Sequence, residues 1–336
     1  MSMLSSWPKQ WQSSFTNVDD LLKYLELSRL DLPILTDFTQ FPFKVPRPFV
    51  DRMKKGDPND PLLLQVLPIT AELLENPGFS KNPLQEDTVN PVSGLLHKYS
   101  SRVLLTLSGS CAINCRYCFR RHFPYEDNNP GTKGWESIFD YLREHSEVNE
   151  VILSGGDPLS TNDAVLKRFI QRLERLESVQ YLRFHTRFPI VIPDRVTEDL
   201  LLMLDDTRFR VSMVLHTNHV NEWDESLRAP MRALHDANVT LLNQSVLLGG
   251  INNSVSALSD LSYRLYDLGV LPYYLHLLDK VAGASHFDVS ADEAVILMRG
   301  LIERLPGYLV PRLVREVPGC GSKVPIDLFC ARIMTK

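Results

Sequence analysis

The stretch Cys111-Ala-Ile-Asn-Cys115-Arg-Tyr-Cys118 holds three of the chain's five cysteines within eight residues. Iron–sulfur clusters are held by cysteine thiolates. With only three thiolates close together, one iron of a four-iron cluster would lack a protein ligand. An open metal position is what catalysis needs, because a small molecule can bind there directly. The competing readings are a zinc knuckle, or cysteines packed as small hydrophobes. Zinc would want a fourth ligand at short spacing, and His122, four residues after Cys118, comes with no second C-x2-C pair.

The chain around this stretch has 336 residues, enough for one large domain or two ordinary ones. Its 44% hydrophobic and 23% charged residues are ordinary for a soluble globular protein. A net charge of -5 gives no electrostatic case for nucleic acid or an anionic membrane as the main partner. Met1 to Gln12 has no apolar run of signal-peptide length, and no apolar stretch reaches the ~18 residues of a membrane span. An odd number of cysteines, most of them clustered, does not read as a disulfide framework. The expected location is a reducing cytoplasm.

Residues 1–95 are proline-rich and lack strand alternation. Helical spacing is present at Val18–Leu27 and Pro48–Lys54, and Gly56-Asp-Pro-Asn-Asp-Pro61 is turn chemistry. These residues read as a mostly helical N-terminal arm wrapped on a main domain spanning 96–316. From about residue 100, short β-rich runs recur at Val103–Leu107, Glu150–Ser154, Tyr181–His185, Arg210–His216, Thr240–Val246 and Tyr273–Leu278. Helical patterns lie between them. At Ala164–Leu176, for example, Val165, Leu166, Phe169, Ile170 and Leu173 form one apolar stripe. Strand–helix units in series predict an α/β fold of parallel strands with right-handed crossovers. Six such units suggest a partial or complete (β/α) barrel, with a doubly wound open sheet as the alternative.

In a barrel, catalytic groups sit at the C-terminal ends of strands. Cys111 follows the first predicted strand, Ser154-Gly-Gly-Asp-Pro158 the second, and His216-Thr-Asn-His219 the fourth. Gln244 lies near the end of the fifth and Asp279 just past the sixth. Gly155 and Gly156, without Cβ, let the backbone approach a ligand closely. A Gly-Gly-Asp-Pro turn is also ordinary punctuation between strand and loop. His216 and His219 could pair on a metal, but histidines at strand ends are more often hydrogen-bonded structural residues.

Near the end, Pro318-Gly-Cys-Gly-Ser-Lys323 sets a lysine after a glycine-bearing loop, within a short C-terminal segment at 317–336. The Walker spacing of a phosphate cradle is absent. The lysine can be a solvated charge, or an amine that forms a Schiff base with pyridoxal phosphate.

The C-x3-C-x2-C spacing resembles that of the radical S-adenosylmethionine enzymes. The whole pattern resembles their lysine 2,3-aminomutase family, from about His97 to Pro325. The resemblance runs through His97-Lys-Tyr99 with Arg102, Cys115-Arg-Tyr-Cys-Phe-Arg-Arg121, Ser154-Gly-Gly-Asp-Pro158, Leu242-Asn-Gln-Ser-Val-Leu-Leu248, Pro272-Tyr-Tyr and the Lys323 loop. It implies a partial (β/α)6-type radical S-adenosylmethionine barrel and a [4Fe-4S] cluster on Cys111, Cys115 and Cys118. It also implies S-adenosylmethionine contacts from Gly155, Gly156, Asp157, His216 and Gln244, and pyridoxal 5'-phosphate held by Lys323 with Arg102 at its phosphate and Tyr99 beside its ring.

By the same resemblance Arg120 clamps the substrate carboxylate, while Asp279 and Glu316 hold the side-chain ammonium of L-lysine. Glu316 stands where the long mutases carry aspartate, and Cys320 where glycine is usual. A planar guanidinium suits a bidentate carboxylate contact, and two carboxylates argue for a cationic substrate. The alternative is that Arg116, Arg120, Arg121 and Lys98 form a solvated basic face. Lys44-Val-Pro-Arg-Pro-Phe-Val-Asp-Arg-Met53, with an end soon after Lys323, is similar to the short subfamily serving elongation factor P, which makes (R)-β-lysine for a separate β-lysyl ligase. A flavodoxin or ferredoxin is the implied electron donor. A catabolic-type mutase, a radical enzyme without pyridoxal phosphate, and a non-catalytic iron–sulfur carrier or zinc scaffold are the rival readings.

Overall fold

The structure is a computed structural model that describes residues 6–35, 41–125, 128, 131–132 and 134–328. Cys330 and the rest of 329–336 lie outside the described residues. Among the described residues nine strands form one sheet in sequence order: β1 (Leu95–Tyr99), β2 (Arg102–Ser108), β3 (Glu150–Gly155), β4 (Tyr181–Thr186), β5 (Arg210–His216), β6 (Thr240–Val246), β7 (Leu271–His276), β8 (Arg312–Arg315) and β9 (Val324–Pro325). From β2 to β8 every neighbouring pair is parallel. β1 and β9 add antiparallel strands at the two edges. The six expected strands are present, the last of them two residues earlier than its sequence pattern suggests. A seventh parallel strand, β8, joins them.

The edges are not paired with each other, yet they meet. Lys98 of β1 reaches across to Glu316, the residue after β8, with Nζ 2.8 Å from Oε2. The sheet therefore curls into a partial barrel whose seam carries an ion pair in place of a strand ladder. Helices cover the outside. The helix Asp163–Leu173 starts where Asn162 accepts from Ala164 N, and it buries Leu166, Phe169, Ile170 and Leu173. Burying each such side chain fully contributes about 1.5–3 kcal/mol. Among the described residues no helix is long and apolar enough to cross a membrane.

The arm consists of short pieces, two of them capped by side chains. Asn17 accepts from Asp19 N and starts the helix Val18–Tyr24. Asp60, buried at the end of the predicted turn, accepts from Leu62 N and Leu63 N and starts Pro61–Leu64. Leu21, Phe49, Leu62 and Leu63 belong to the same apolar core as Val151, Leu153 and Phe184 of the barrel. The arm also fastens the cysteine loop. Trp11 Nε1 donates to Cys111 O at 3.3 Å, Asn114 N to Lys44 O at 3.1 Å, and Arg116 N to Gln65 O at 2.9 Å. Glu72 is 2% exposed at its side chain and pairs with both Arg116 and Arg121.

Candidate active site

A cavity of about 930 Å³ opens at the C-terminal ends of the parallel strands. Ligand pockets commonly run from ~300 to ~1,000 Å³. Its walls include Cys111, Cys115, Cys118, Gly155, Gly156, Asp157, His216, Gln244, Tyr99, Arg102, Arg120, Asp279, Glu316 and Lys323. Every site residue expected from the sequence faces one space, although Cys111 and Lys323 lie far apart in the chain. His219 and His122 do not. His219 accepts from Asn221 N, and the His122 ring meets Ala282 O at 3.2 Å.

The three cysteines are free thiols. Burial pushes the Cys118 thiol up to about 11 and the Cys111 thiol well above its ordinary value. A coordinated metal reverses that logic, since a ligating thiol is deprotonated outright. No three His, Cys, Asp or Glu among the described residues are gathered as ligands of a single metal ion. Zinc takes its thiolates at ~2.3 Å around one centre and, in structural sites, wants four ligands. A four-iron cluster is held by cysteine thiolates, and the three that face this cavity would ligate three of its irons. The donor set fits the cluster.

The Gly-Gly-Asp turn is more structural than its sequence suggests. A Cβ on Gly156 would lie 2.5 Å from Ser110 O and 2.7 Å from Gly109 C. At Gly155, with φ +101°, a Cβ would lie 2.6 Å from Thr106 Cγ2. The absent side chains let β3 pass against the backbone that leads into the cysteines. Gly156 N and Asp157 N then donate to Ser108 O and Ser110 O, each at 2.8 Å. The buried Asp157 carboxylate accepts from Leu159 N, Thr186 Oγ1, Arg187 N and Phe188 N. Burial still outweighs these bonds and lifts its carboxyl to about 6. Asp157 thus ties β3 to the end of β4. His216 is held neutral, its value lowered to about 3 chiefly by burial, and Nε2 sits 2.9 Å from Tyr117 Oη.

A charged group gathers around the barrel seam. Glu316 pairs with Lys98 and with Lys323. Burial alone would raise its carboxyl, but the two ammonium groups bring it down to about 2. Burial and the neighbouring Glu316 charge lift Asp279 to about 7. Burial also raises Tyr99 to about 12, with the Arg102 guanidinium 3.9 Å from its ring centre. These side chains fit pyridoxal phosphate, for they place an amine, an aromatic face and an arginine together at one wall.

Arg120 is buried and not part of a solvated face. It engages Glu86 of the arm, with Nε 2.8 Å from Oε2 and Nη2 2.6 Å from Oε1. Burial opposes its charge, and Glu86 nonetheless holds its value above the ordinary one.

Sequence reasoning missed Glu86, His185, Arg187 and His276 and gave Lys98 no role beyond a basic face; all five line the cavity. Lys98 adjoins Tyr99, while His185, Arg187 and His276 stand at strand ends. The positional rule that found His216 could have found these three. Glu86 sits in a stretch without periodicity and gave no signal.

The family description of the Radical SAM superfamily matches residues 105–253. An L-lysine 2,3-aminomutase of Escherichia coli (strain K12) is 47% identical over 324 residues, covering 96% of this chain and 94% of its own. One from Haemophilus influenzae is 49% identical over 306 residues, covering 89% of this chain and 90% of its own. One from Clostridium subterminale is 34% identical over 324 residues, covering 96% of this chain and 78% of its own. Identity close to one half across nearly the full length of both partners means that this chain belongs to the L-lysine 2,3-aminomutase family of radical SAM enzymes, which are isomerases.

Proposed function

We propose that the protein moves the α-amino group of L-lysine to Cβ, giving (R)-β-lysine for attachment to elongation factor P by a separate ligase in the cytoplasm. One observation carries the reading: the thiol trio and the Lys323–Glu316–Asp279 group, far apart in the chain, wall the same cavity. Membership of the radical SAM superfamily implies the [4Fe-4S] cluster and S-adenosylmethionine. Pyridoxal phosphate, the R product, the elongation factor P link and an external flavodoxin or ferredoxin as donor belong to the proposal.

When bound, the cluster supplies the electron that cleaves S-adenosylmethionine, and pyridoxal phosphate supplies a ring that delocalises an unpaired electron while nitrogen migrates. The protein's part is placement. Cys111, Cys115 and Cys118 would hold three irons and leave the fourth open. His216 and Gln244, paired across β5 and β6, would bound the S-adenosylmethionine pocket beside the Gly155–Gly156 turn. Lys323 would hold pyridoxal phosphate covalently, with Tyr99 against the ring and Arg102 toward the phosphate.

A Lys323 engaged by the cofactor would leave Glu316 with Lys98 as its remaining cationic partner. Glu316 and Asp279 would face the side-chain ammonium of a bound lysine. Arg120 would exchange Glu86 for the substrate carboxylate, a like-for-like bidentate swap. Holding the substrate at both ends fixes which hydrogen lies nearest the reactive carbon, as a tethered near-attack geometry requires.

The test is borohydride reduction of pyridoxal-phosphate-loaded protein, followed by peptide mapping. Label on Lys323, absent from Lys323→Ala, is expected. Label on another lysine would overturn the assignment.

A further inference from the structure

Arg187 lies directly after β4, deep in the barrel, with 6% of its side chain exposed. Its backbone position is set by Asp157, which accepts from Arg187 N at 2.8 Å. From there Nη1 reaches Cys115 Sγ at 2.6 Å and Tyr117 Oη at 2.8 Å. Nη2 reaches Gln65 Oε1 at 2.9 Å and Glu222 Oε2 at 2.8 Å. Glu222 is fully buried and also accepts from Asn218 N at 2.7 Å.

Burying a guanidinium beside a sulfur is costly unless something gains from it. One carboxylate, Glu222, offsets the cation. A neutral thiol is a weak acceptor and returns little. A cluster-bound thiolate is a charged acceptor, and hydrogen bonds to it are of the strong, charge-assisted kind. Hydrogen bonds to the sulfurs and local net charge are among the factors that set a cluster's potential. A donor and a positive charge at Cys115 favour whichever oxidation state carries more negative charge, which is the reduced one.

We propose that Arg187 is a positioning residue for the cluster, raising through Cys115 the potential at which the cluster accepts its electron. Glu222 works against it and sets how much of the charge the cluster feels. The step is a one-electron reduction of the oxidised cluster by an external low-potential reductant, with no bond made or broken. The inference rests on the reading that Cys111, Cys115 and Cys118 hold the cluster.

The test is an anaerobic redox titration of reconstituted full-length protein, followed by electron paramagnetic resonance, with dithionite as reductant and iron and sulfide counted in each sample. Arg187→Met is expected to move the midpoint to more negative potential, Arg187→Lys less far in the same direction. Glu222→Gln is expected to move it to more positive potential. A cluster-loaded Arg187→Met protein with the wild-type midpoint overturns the proposal. Should that variant take up no iron, unshifted midpoints in Arg187→Lys and Glu222→Gln overturn it equally. A wild-type protein that binds no cluster would instead defeat the underlying reading, and the iron count alone reports that.

Discussion

Gly156→Ala isolates the contact between β3 and the cysteine loop. The new Cβ would sit 2.5 Å from Ser110 O, against 3.4 Å for the near edge of ordinary contact, so the carbonyl must retreat by about 0.9 Å. The obstacle is backbone, which cannot swing aside as a side chain does. The bonds from Gly156 N to Ser108 O and from Asp157 N to Ser110 O stretch with it. Each such bond is worth about 0.5–1.5 kcal/mol net, and overpacking costs roughly 1–3 kcal/mol. Together these give a loss of about 2–6 kcal/mol if both bonds are lost outright; stretched rather than broken bonds put it toward the lower end, which a domain stable by ~5–15 kcal/mol survives folded.

The displaced residues lead straight into Cys111, so cluster retention should suffer more than the fold. Iron and sulfide are counted after anaerobic reconstitution, beside a thermal melt of the same sample. Gly307→Ala is the control, because its Cβ would meet nothing within 4 Å. Wild-type iron content and melting temperature in Gly156→Ala would refute the reasoning. An equal loss in Gly307→Ala would show that the effect is not the contact.

Asp279, lifted to about 7, is increasingly protonated as pH falls below that value, while Glu316 at about 2 stays ionised. An ammonium is held best by the ionised form, so the affinity of the pyridoxal-free protein for L-lysine should fall as pH drops below 7, by up to about tenfold per pH unit, measured by calorimetry; Asp279→Asn should flatten that slope. Glu72→Gln leaves the buried Arg116 and Arg121 short of their shared carboxylate, and a loss of about 3–5 kcal/mol is expected in denaturant unfolding. Glu86→Gln should tighten L-lysine binding by about tenfold if releasing Arg120 from a charge-assisted pair is worth ~1.5 kcal/mol, whereas Arg120→Ala should weaken it; equilibrium dialysis reads both.

Short β-rich runs made β2 to β7 legible, because each strand is six or seven residues long and helical patterns lie between them. β8, at four residues, is too short to show such a run. β9 is two residues long and exists only because the Lys323 loop folds back on β8. The arm gave little, since its pieces are one or two turns long and are held mostly by burial against the barrel, which is not periodic. Residue types and strand-end positions located the cavity wall. Partnerships stayed hidden: Lys98–Glu316, Arg120–Glu86 and Arg187–Cys115 join residues far apart in sequence. The glycines of Gly155–Gly156 were legible as a close approach, but the group approached is the cysteine loop's own backbone.

The most direct measurement is anaerobic turnover of reconstituted protein with S-adenosylmethionine, pyridoxal phosphate, a reductant and L-lysine, with chiral separation of the products. The account predicts accumulation of (R)-β-lysine that depends on every added component and is lost in Lys323→Ala. Release of 5'-deoxyadenosine without any β-lysine would contradict it.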